Sequence, residues 1–362
     1  MKKQFSARAF ASLRKNLLAW FGKHRRALPW RASRDPYRIW IAEIMLQQTR
    51  IAAVIPYYER FLEHFPTVEA LAEAREDEVL RQWSGLGYYS RARNLHRAAK
   101  EIVAKHERKF PQKLEEALDL AGVGHYTAAA VLSIAYDAPF AVLDGNVARV
   151  LARLGAVRGD LREPRRWRSL AETAQDLLAP DAAGDWNQAL MELGETVCIP
   201  RNPLCGECPI AKFCRARALG LTDQIPAPRR KRAPVNVRIA AAILRDPEGR
   251  VLLVRDPGSH DGVLFSRMWQ FPAIEVAEHA QKELEAHLAQ SLGLEFSALE
   301  ELPAARHGVT YRNVALLPFL ARVAKLPKVA RSRILALEKL GSVPVSSATR
   351  KIAAALDAWQ DR

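Results

Sequence analysis

The chain has 362 residues, 49% hydrophobic and 26% charged, with a formal net charge of +15. That length and apolar content exclude a disordered polypeptide and allow two or three domains with cores of their own. No apolar run reaches membrane-spanning length, so a soluble protein is expected, and the basic balance favours a polyanionic partner.

The first segment, MKKQFSARAFASLRKNLLAW, is basic, and no acid precedes Asp35, a bias shared with mitochondrial transit peptides. Phe10, Leu13, Leu17 and Trp20 also fall near helical spacing, and folded-looking sequence follows at once, so we read an amphipathic helix. Helical period then continues to about residue 220. Asp35 caps and Pro36 opens the helix PYRIWIAEIMLQQ. Thr67 precedes VEALAEA, and Asp77 opens a further segment. Gly85-Leu86-Gly87 and Gly122-Val123-Gly124 each end one helix and begin the next. The stretch IPAPRRKRAPV (225–235) reads as an extended linker. Beyond it the pattern changes. NVRIAAAILRD and RVLLVRD flank Glu248-Gly249 as a hairpin, YRNVALLPFLARV is a strand, and 276–293 and 346–361 are helical. The fold class expected is therefore multidomain: an all-α region followed by an α/β or α+β domain. The charge excess is 12 over residues 1–234 and 3 over 235–362, so the polyanion contact belongs mainly to the helical part.

All four cysteines of the chain, Cys198, Cys205, Cys208 and Cys214, lie in one segment spaced C-x6-C-x2-C-x5-C. Clustered thiols point to a metal in a reducing compartment rather than to disulfides. Zinc sites usually show two C-x2-C knuckles and this loop has one, which favours iron–sulfur while leaving zinc open. In GVGHYTAAAVLS the glycines permit a tight turn after LEEALDLA and expose backbone N–H groups at a helix start. Such a helix-hairpin-helix can hold a DNA phosphate; by itself the pattern is more often an ordinary helix–helix turn, a preference that the basic charge and the cysteine cluster reverse. Glu43 sits among Ile39, Trp40, Leu46 and Gln47 at helical spacing, a setting that raises a carboxyl's pKa and suits a general acid. Asp144 opens the helix of LDGNVARVLARL, where macrodipole and free N–H groups favour its ionised form. One raised and one lowered carboxylate is an arrangement for cleaving glycosidic bonds. Taken alone, Asp144 is also a plain cap and Glu43 a partner for an arginine. In SGLGYYSRARNL, aromatic rings beside Gly and Arg suit either a wedge into stacked bases or a core.

Together LPWR (28–31), DPYRIWIAEIMLQQTR (35–50), GLGYYSRARNL (85–95), AGVGHYTAAAVLSIAY (121–136), LDGNVARVLARL (143–154), NQALMELGETVC (187–198) and the cysteine loop closely resemble the adenine DNA glycosylases of the MutY type, within the endonuclease III superfamily. The resemblance implies an all-α helix-hairpin-helix glycosylase region over 1–225. It would comprise a six-helix barrel at about 28–135 and an iron–sulfur module at about 1–27 and 136–225. A linker at 226–234 and a Nudix-like lesion-recognition domain at 235–362 would follow. It implies a [4Fe–4S] cluster on the four cysteines, and duplex DNA carrying adenine opposite 8-oxoguanine or guanine as partner. It further implies a monomeric, cytoplasmic protein without membrane association. Glu43 then corresponds to the acid protonating adenine N7, and Asp144 to the carboxylate steadying the sugar cation. Asn146 supports that carboxylate or a water. Tyr126 occupies the position where the endonuclease III branch has its lyase lysine, which implies base removal without strand cleavage. Arg26, Trp30, Arg31, Leu46 and Gln188 correspond to positions around the extruded adenine. Gln48 and Tyr88 wedge into the duplex, and Gly122, Val123 and Gly124 hold the backbone.

WQFP (269–272) resembles the family's strand motif in the C-terminal domain. AIEVAEHAQKELEAHLAQSLGL lacks the metal-binding carboxylate pattern of a Nudix box, so pyrophosphate hydrolysis is rejected. Where the family often carries an aromatic-Ser-His loop against 8-oxoguanine, this chain has Ala305-Arg306-His307. Lesion preference is expected to persist in reduced form, with Arg306 donating in place of the missing groups. Two other readings compete: a pyrimidine-specific glycosylase and lyase, which Tyr126 disfavours, and a non-catalytic iron–sulfur DNA sensor.

Overall fold

The computed structural model describes residues 6–227, 233–255, 267–294, 299–309 and 311–360. Most of the expected linker, 228–232, lies outside them. The chain divides into two compact units, one of residues 1–73 and 93–230, the other of 74–92 and 231–362.

The first unit is helical, as the periodicity predicts. Its N-terminal helix spans Ala7–His24 and is capped by Ser6, whose Oγ accepts from the Ala9 amide. The buried stripe is Leu13, Leu17 and Phe21 rather than the predicted Phe10 and Trp20, which are only partly covered. Each fully buried side chain of this kind contributes roughly 1.5–3 kcal/mol. The stripe packs into one core with Val147, Leu151 and Leu154 of the helix Gly145–Gly155 and with Trp186, Leu190 and Leu193 of the helix Ala183–Thr196. Two functional helices are thus anchored by the N-terminal segment.

Asp35 caps the next helix as predicted, accepting from the Tyr37 amide, and Pro36 opens it. This helix runs Pro36–Leu46, so Gln47 and Gln48 fall outside it. Gln48 has φ +58, a left-handed conformation that side chains rarely adopt. The hairpin glycines separate the helices Leu114–Leu118 and His125–Tyr136. Gly122 has φ +75, and a Cβ there would meet Asn94 Cβ at 2.7 Å, so only glycine fits the turn.

The second unit is mixed α/β. Strands Val235–Arg245 and Arg312–Arg322 pair in parallel, Val235 opposite Arg312. Ala305–Val309 pairs antiparallel with Arg312–Arg322. The predicted hairpin forms, with Arg245 opposite Val251 and Arg250–Arg255 as its second strand. Helices Ala280–Leu292 and Ser347–Gln360 fall within the predicted helical segments. Leu284 and Leu288 join one cluster, Ile352 and Leu356 another, so the sheet carries an apolar core on each face. The segment 74–92 belongs here. Its helix Glu76–Trp83 starts one residue before the predicted Asp77, Ser84 Oγ donates to the Val345 carbonyl at 2.5 Å, and Asp77 pairs with Arg255 at 2.7 Å.

Candidate active site and iron–sulfur centre

A cavity of about 600 Å³ in the first unit gathers Arg26, Trp30, Arg31, Glu43, Leu46, Gln48, Tyr126, Asp144, Asn146 and Gln188. These ten residues come from distant parts of the sequence and meet because four helices converge, Ala183–Thr196 bringing Gln188. Pro36–Leu46 brings Glu43, His125–Tyr136 brings Tyr126, and the start of Gly145–Gly155 brings Asp144.

Glu43 is 5% exposed, and burial pushes its carboxyl up to about 7. The Tyr126 hydroxyl donates to Glu43 Oε2 at 2.9 Å and works against that rise, since it stabilises the carboxylate. Tyr126 is itself raised, first by burial and then by the charge of Glu43.

Asp144 corrects one expectation. It does cap its helix, accepting from the Val147 amide at 2.7 Å. Yet its proton affinity is raised rather than lowered, because burial outweighs that hydrogen bond and Glu195 adds like-charge repulsion. Asp144 is partly buried on the cavity wall, and that desolvation, with Glu195 nearby, overrides the macrodipole. The Asn146 side chain does not reach back to Asp144 in a hydrogen bond. Its amide donates to Glu195 Oε1 at 3.5 Å and its oxygen accepts from Arg149 at 2.9 Å.

Glu192 and Glu195 were not singled out from the sequence, nor was Met191, yet all three line the cavity. Arg26 donates to Glu192 at 2.6 Å and to Glu195 at 2.6 Å, and Arg31 donates to Glu192 at 2.9 Å. The Glu192 side chain is 1% exposed; burial opposes its charge, but the two guanidinium groups outweigh burial and hold its pKa down. The Arg26 guanidinium is held charged by Glu192 first and Glu195 second. The spacing Gln188, Met191, Glu192, Glu195 within NQALMELGETVC is one helical face, which is the signal that could have revealed them.

The hairpin residues Gly122, Val123 and Gly124 form their own turn and do not line this cavity. Tyr88, Arg306 and His307 belong to the second unit. Tyr88 has φ +49 and a ring 40% exposed. Arg91, 8% exposed, lies with its guanidinium 5.3 Å from the Trp83 ring and 5.3 Å from the Tyr88 ring, and donates to the Gly87 carbonyl at 3.1 Å. Burial brings Arg91 down to about 10. Arg306 and His307 lie on the strand Ala305–Val309 rather than in a loop, because the segment pairs along its length with Arg312–Arg322. They line a cavity of about 470 Å³ with Asn236, Arg238 and Asn313. Burial, followed by the nearby Lys351, lowers the His307 pKa.

Cys198, Cys205, Cys208 and Cys214 are all free thiols lining one small cavity. Burial pushes Cys208 up to about 11, with further repulsion from the other three, so four thiolates persist together only around a polycation. Among the described residues no three Cys, His, Asp or Glu side chains converge as a single metal ion requires. Four thiols around one cavity can serve as the thiolate ligands of a multi-iron cluster. The loop is tied down by Arg153, 1% exposed, which donates to the carbonyls of Ile225 at 2.7 Å, Ile199 at 2.7 Å and Pro200 at 2.9 Å, and approaches Cys198 Sγ at 3.4 Å. Arg149, one turn earlier, donates to the carbonyls of Cys198 at 2.8 Å and Gly194 at 2.7 Å.

The HhH-GPD superfamily base excision DNA repair proteins match residues 41–175, and the iron–sulfur binding domain of endonuclease III matches 198–214. The four cysteines accordingly hold a [4Fe–4S] cluster. The adenine DNA glycosylase of Rattus norvegicus is 33% identical over 400 aligned positions, which cover 94% of this chain and 77% of that protein. That of Homo sapiens is 43% identical over 225 positions, covering 60% of this chain and 41% of its own. A solved thermostable thymine-DNA glycosylase superposes with a TM-score of 0.54 at 29% identity, over 59% of this chain and 98% of that one. Endonuclease III in a trapped covalent complex with DNA has the same fold, with a TM-score of 0.51 at 22% identity, over 60% and 99% of the two chains. Since relatedness above 30% identity extends along almost its whole length, the chain belongs to the adenine DNA glycosylase family, whose members are DNA repair hydrolases of N-glycosyl bonds.

Proposed function

We propose that this enzyme removes adenine mispaired with 8-oxoguanine or guanine in duplex DNA, acting as a cytoplasmic monomer that does not cut the strand. The observation that carries the reading is the buried carboxyl of Glu43 facing the same cavity as Asp144, with a tyrosine, not a lysine, donating to it. Adenine is turned out of the stack into the cavity, where Trp30 and Leu46 offer apolar contact and Arg31 and Gln188 polar groups. Glu43, protonated near neutral pH, gives its proton to N7 of the base. The C1′–N9 bond then breaks with its electron pair leaving on adenine. The ionised Asp144 steadies the sugar cation left behind, water adds at C1′, and the proton released by that water restores the acid. Tyr126 offers no amine for a Schiff base, so the product is an intact strand with an abasic site.

The cluster, when bound, orders the basic loop that carries Arg201, Lys212, Arg215 and Arg217 for phosphate contact. Gln48 and Tyr88, both exposed and both with left-handed backbones, enter the base stack. Arg306 and His307 read the opposing base from the second unit, and Arg306 replaces the hydroxyl donor of the family's usual loop.

The test is base-release analysis on a panel of mispairs with an alkali-free nicking assay. Adenine release from its mispairs without nicking is expected. Pyrimidine release with nicking would instead support the endonuclease III-like reading, and no release the sensor reading.

A further inference from the structure

Glu195 is a carboxylate of the cavity to which the steps above give no task. It lies one turn beyond Glu192 on the helix Ala183–Thr196, with a side chain 32% exposed. Its Oε2 accepts from Arg26 at 2.6 Å and its Oε1 from the Asn146 amide at 3.5 Å. These neighbours come from different elements: Arg26 follows the N-terminal helix, and Asn146 stands two residues after Asp144.

Charge bookkeeping on this wall is tight. Glu192 pairs with Arg26 and Arg31, and among the described residues the ion-pair partner of Glu195 is Arg26. Two carboxylates thus balance two guanidinium groups. Without Glu195, one positive charge is left uncompensated in a cavity where positive charge must develop on the sugar.

We propose that Glu195 is a positioning residue of this active site, a further carboxylate that ties the Arg26 guanidinium to the Asn146 amide and keeps the wall facing Asp144 neutral. The inference rests on the base-removal reading above. It is supported by the electrostatics, since Glu195 raises the proton affinity of both Asp144 and Glu43. The other groups around these two acids are Tyr126 from the helix His125–Tyr136, Asn146 and Arg149 from Gly145–Gly155, Glu192 from the helix of Glu195 itself, and Arg26, Arg31 and Arg50.

The experiment is the pH dependence of single-turnover adenine release by the full-length, iron-loaded protein and its Glu195→Gln and Glu195→Asp variants. Asp144 must be ionised and Glu43 protonated, giving an acid and an alkaline limb. In Glu195→Gln both carboxyls lose a like-charge neighbour, and both limbs move to lower pH by about half a unit. The ratio of the rate at the acid end to that at the alkaline end then rises roughly tenfold, while the maximal rate falls. Glu195→Asp keeps the charge and therefore keeps the limbs in place, at a reduced rate. Iron content and melting temperature identify any variant that has lost its fold, and a merely structural role would scale the rate without moving the limbs. Limbs of Glu195→Gln that coincide with wild type, or that Glu195→Asp shifts equally, overturn the inference. If the wild-type enzyme releases no adenine at any pH, the base-removal reading fails first and takes this one with it.

Discussion

The Tyr126 hydroxyl donates to Glu43 Oε2 across 2.9 Å, so the acid of the cavity carries a built-in brake on its own protonation. Burial raises the Glu43 pKa to about 7, and this hydrogen bond pulls the other way. Tyr126→Phe removes the brake. The alkaline limb of adenine release is expected to move to higher pH, with the acid limb little changed. A pH–rate profile checks this; an alkaline limb moving downward contradicts it.

Glu43 also makes stability pH-dependent. Its folded pKa of about 7 lies above the ordinary 4.5, so the folded state holds the proton more tightly than the unfolded chain. Stability is therefore highest below the unfolded value and falls as pH rises through 7, by roughly 3 kcal/mol in total. Glu43→Gln escapes that loss. Its melting temperature should exceed that of wild type at pH 8 and match it near pH 4, while adenine release is abolished and mispair binding kept. Equal melting temperatures at both pH values would show that the carboxyl is not desolvated.

Arg153 donates to the Ile199 and Pro200 carbonyls of the cysteine loop and to the Ile225 carbonyl beyond it. A buried carbonyl left without a donor costs about 1–3 kcal/mol. Arg153→Met is expected to purify with less than a full complement of iron and to lose cluster absorbance sooner on dilution. Arg153→Lys should rescue poorly, because an ammonium cannot reproduce the guanidinium fork. Full iron content in both variants would assign the loop's order to the cluster alone.

Arg91 sits between the rings of Trp83 and Tyr88 while bonding the Gly87 carbonyl. Tyr88, with its left-handed backbone, packs against this guanidinium. Arg91→Ala should weaken binding to mispaired duplex by roughly 5–10-fold, the cost of a lost cation–π contact and hydrogen bond. It should also reduce the fluorescence change of 2-aminopurine placed beside the lesion. A binding loss with an unchanged fluorescence signal would separate Arg91 from the wedge.

Arg306 is exposed on its strand. Arg306→Ala should lower the rate ratio for adenine opposite 8-oxoguanine over guanine about 3–10-fold, the worth of one hydrogen bond. Single-turnover rates on both duplexes measure it; an unchanged ratio removes Arg306 from lesion reading.

The helical first part, the hairpin turn, the capped helices and the change of grammar past residue 235 were legible because each depends on local chemistry. Asp35 before Pro36 caps a helix wherever it lies, and glycine alone tolerates φ +75 beside Asn94. Four thiols in one short segment announce a metal site from spacing alone, but spacing leaves zinc open beside iron–sulfur. Glu43 was likewise readable as a desolvated acid, since its helical neighbours are apolar in the sequence itself. What the sequence could not settle was charge balance among distant residues. Asp144 reads as an ionised cap in the sequence, but how far water is excluded from it depends on four helices meeting around one cavity. Glu192 and Glu195 were silent for the same reason, because their meaning comes from Arg26 and Arg31, some 160 residues away. Capping and turn chemistry act between neighbours along the chain, whereas desolvation and ion pairing act through space, and only the folded structure fixes those distances.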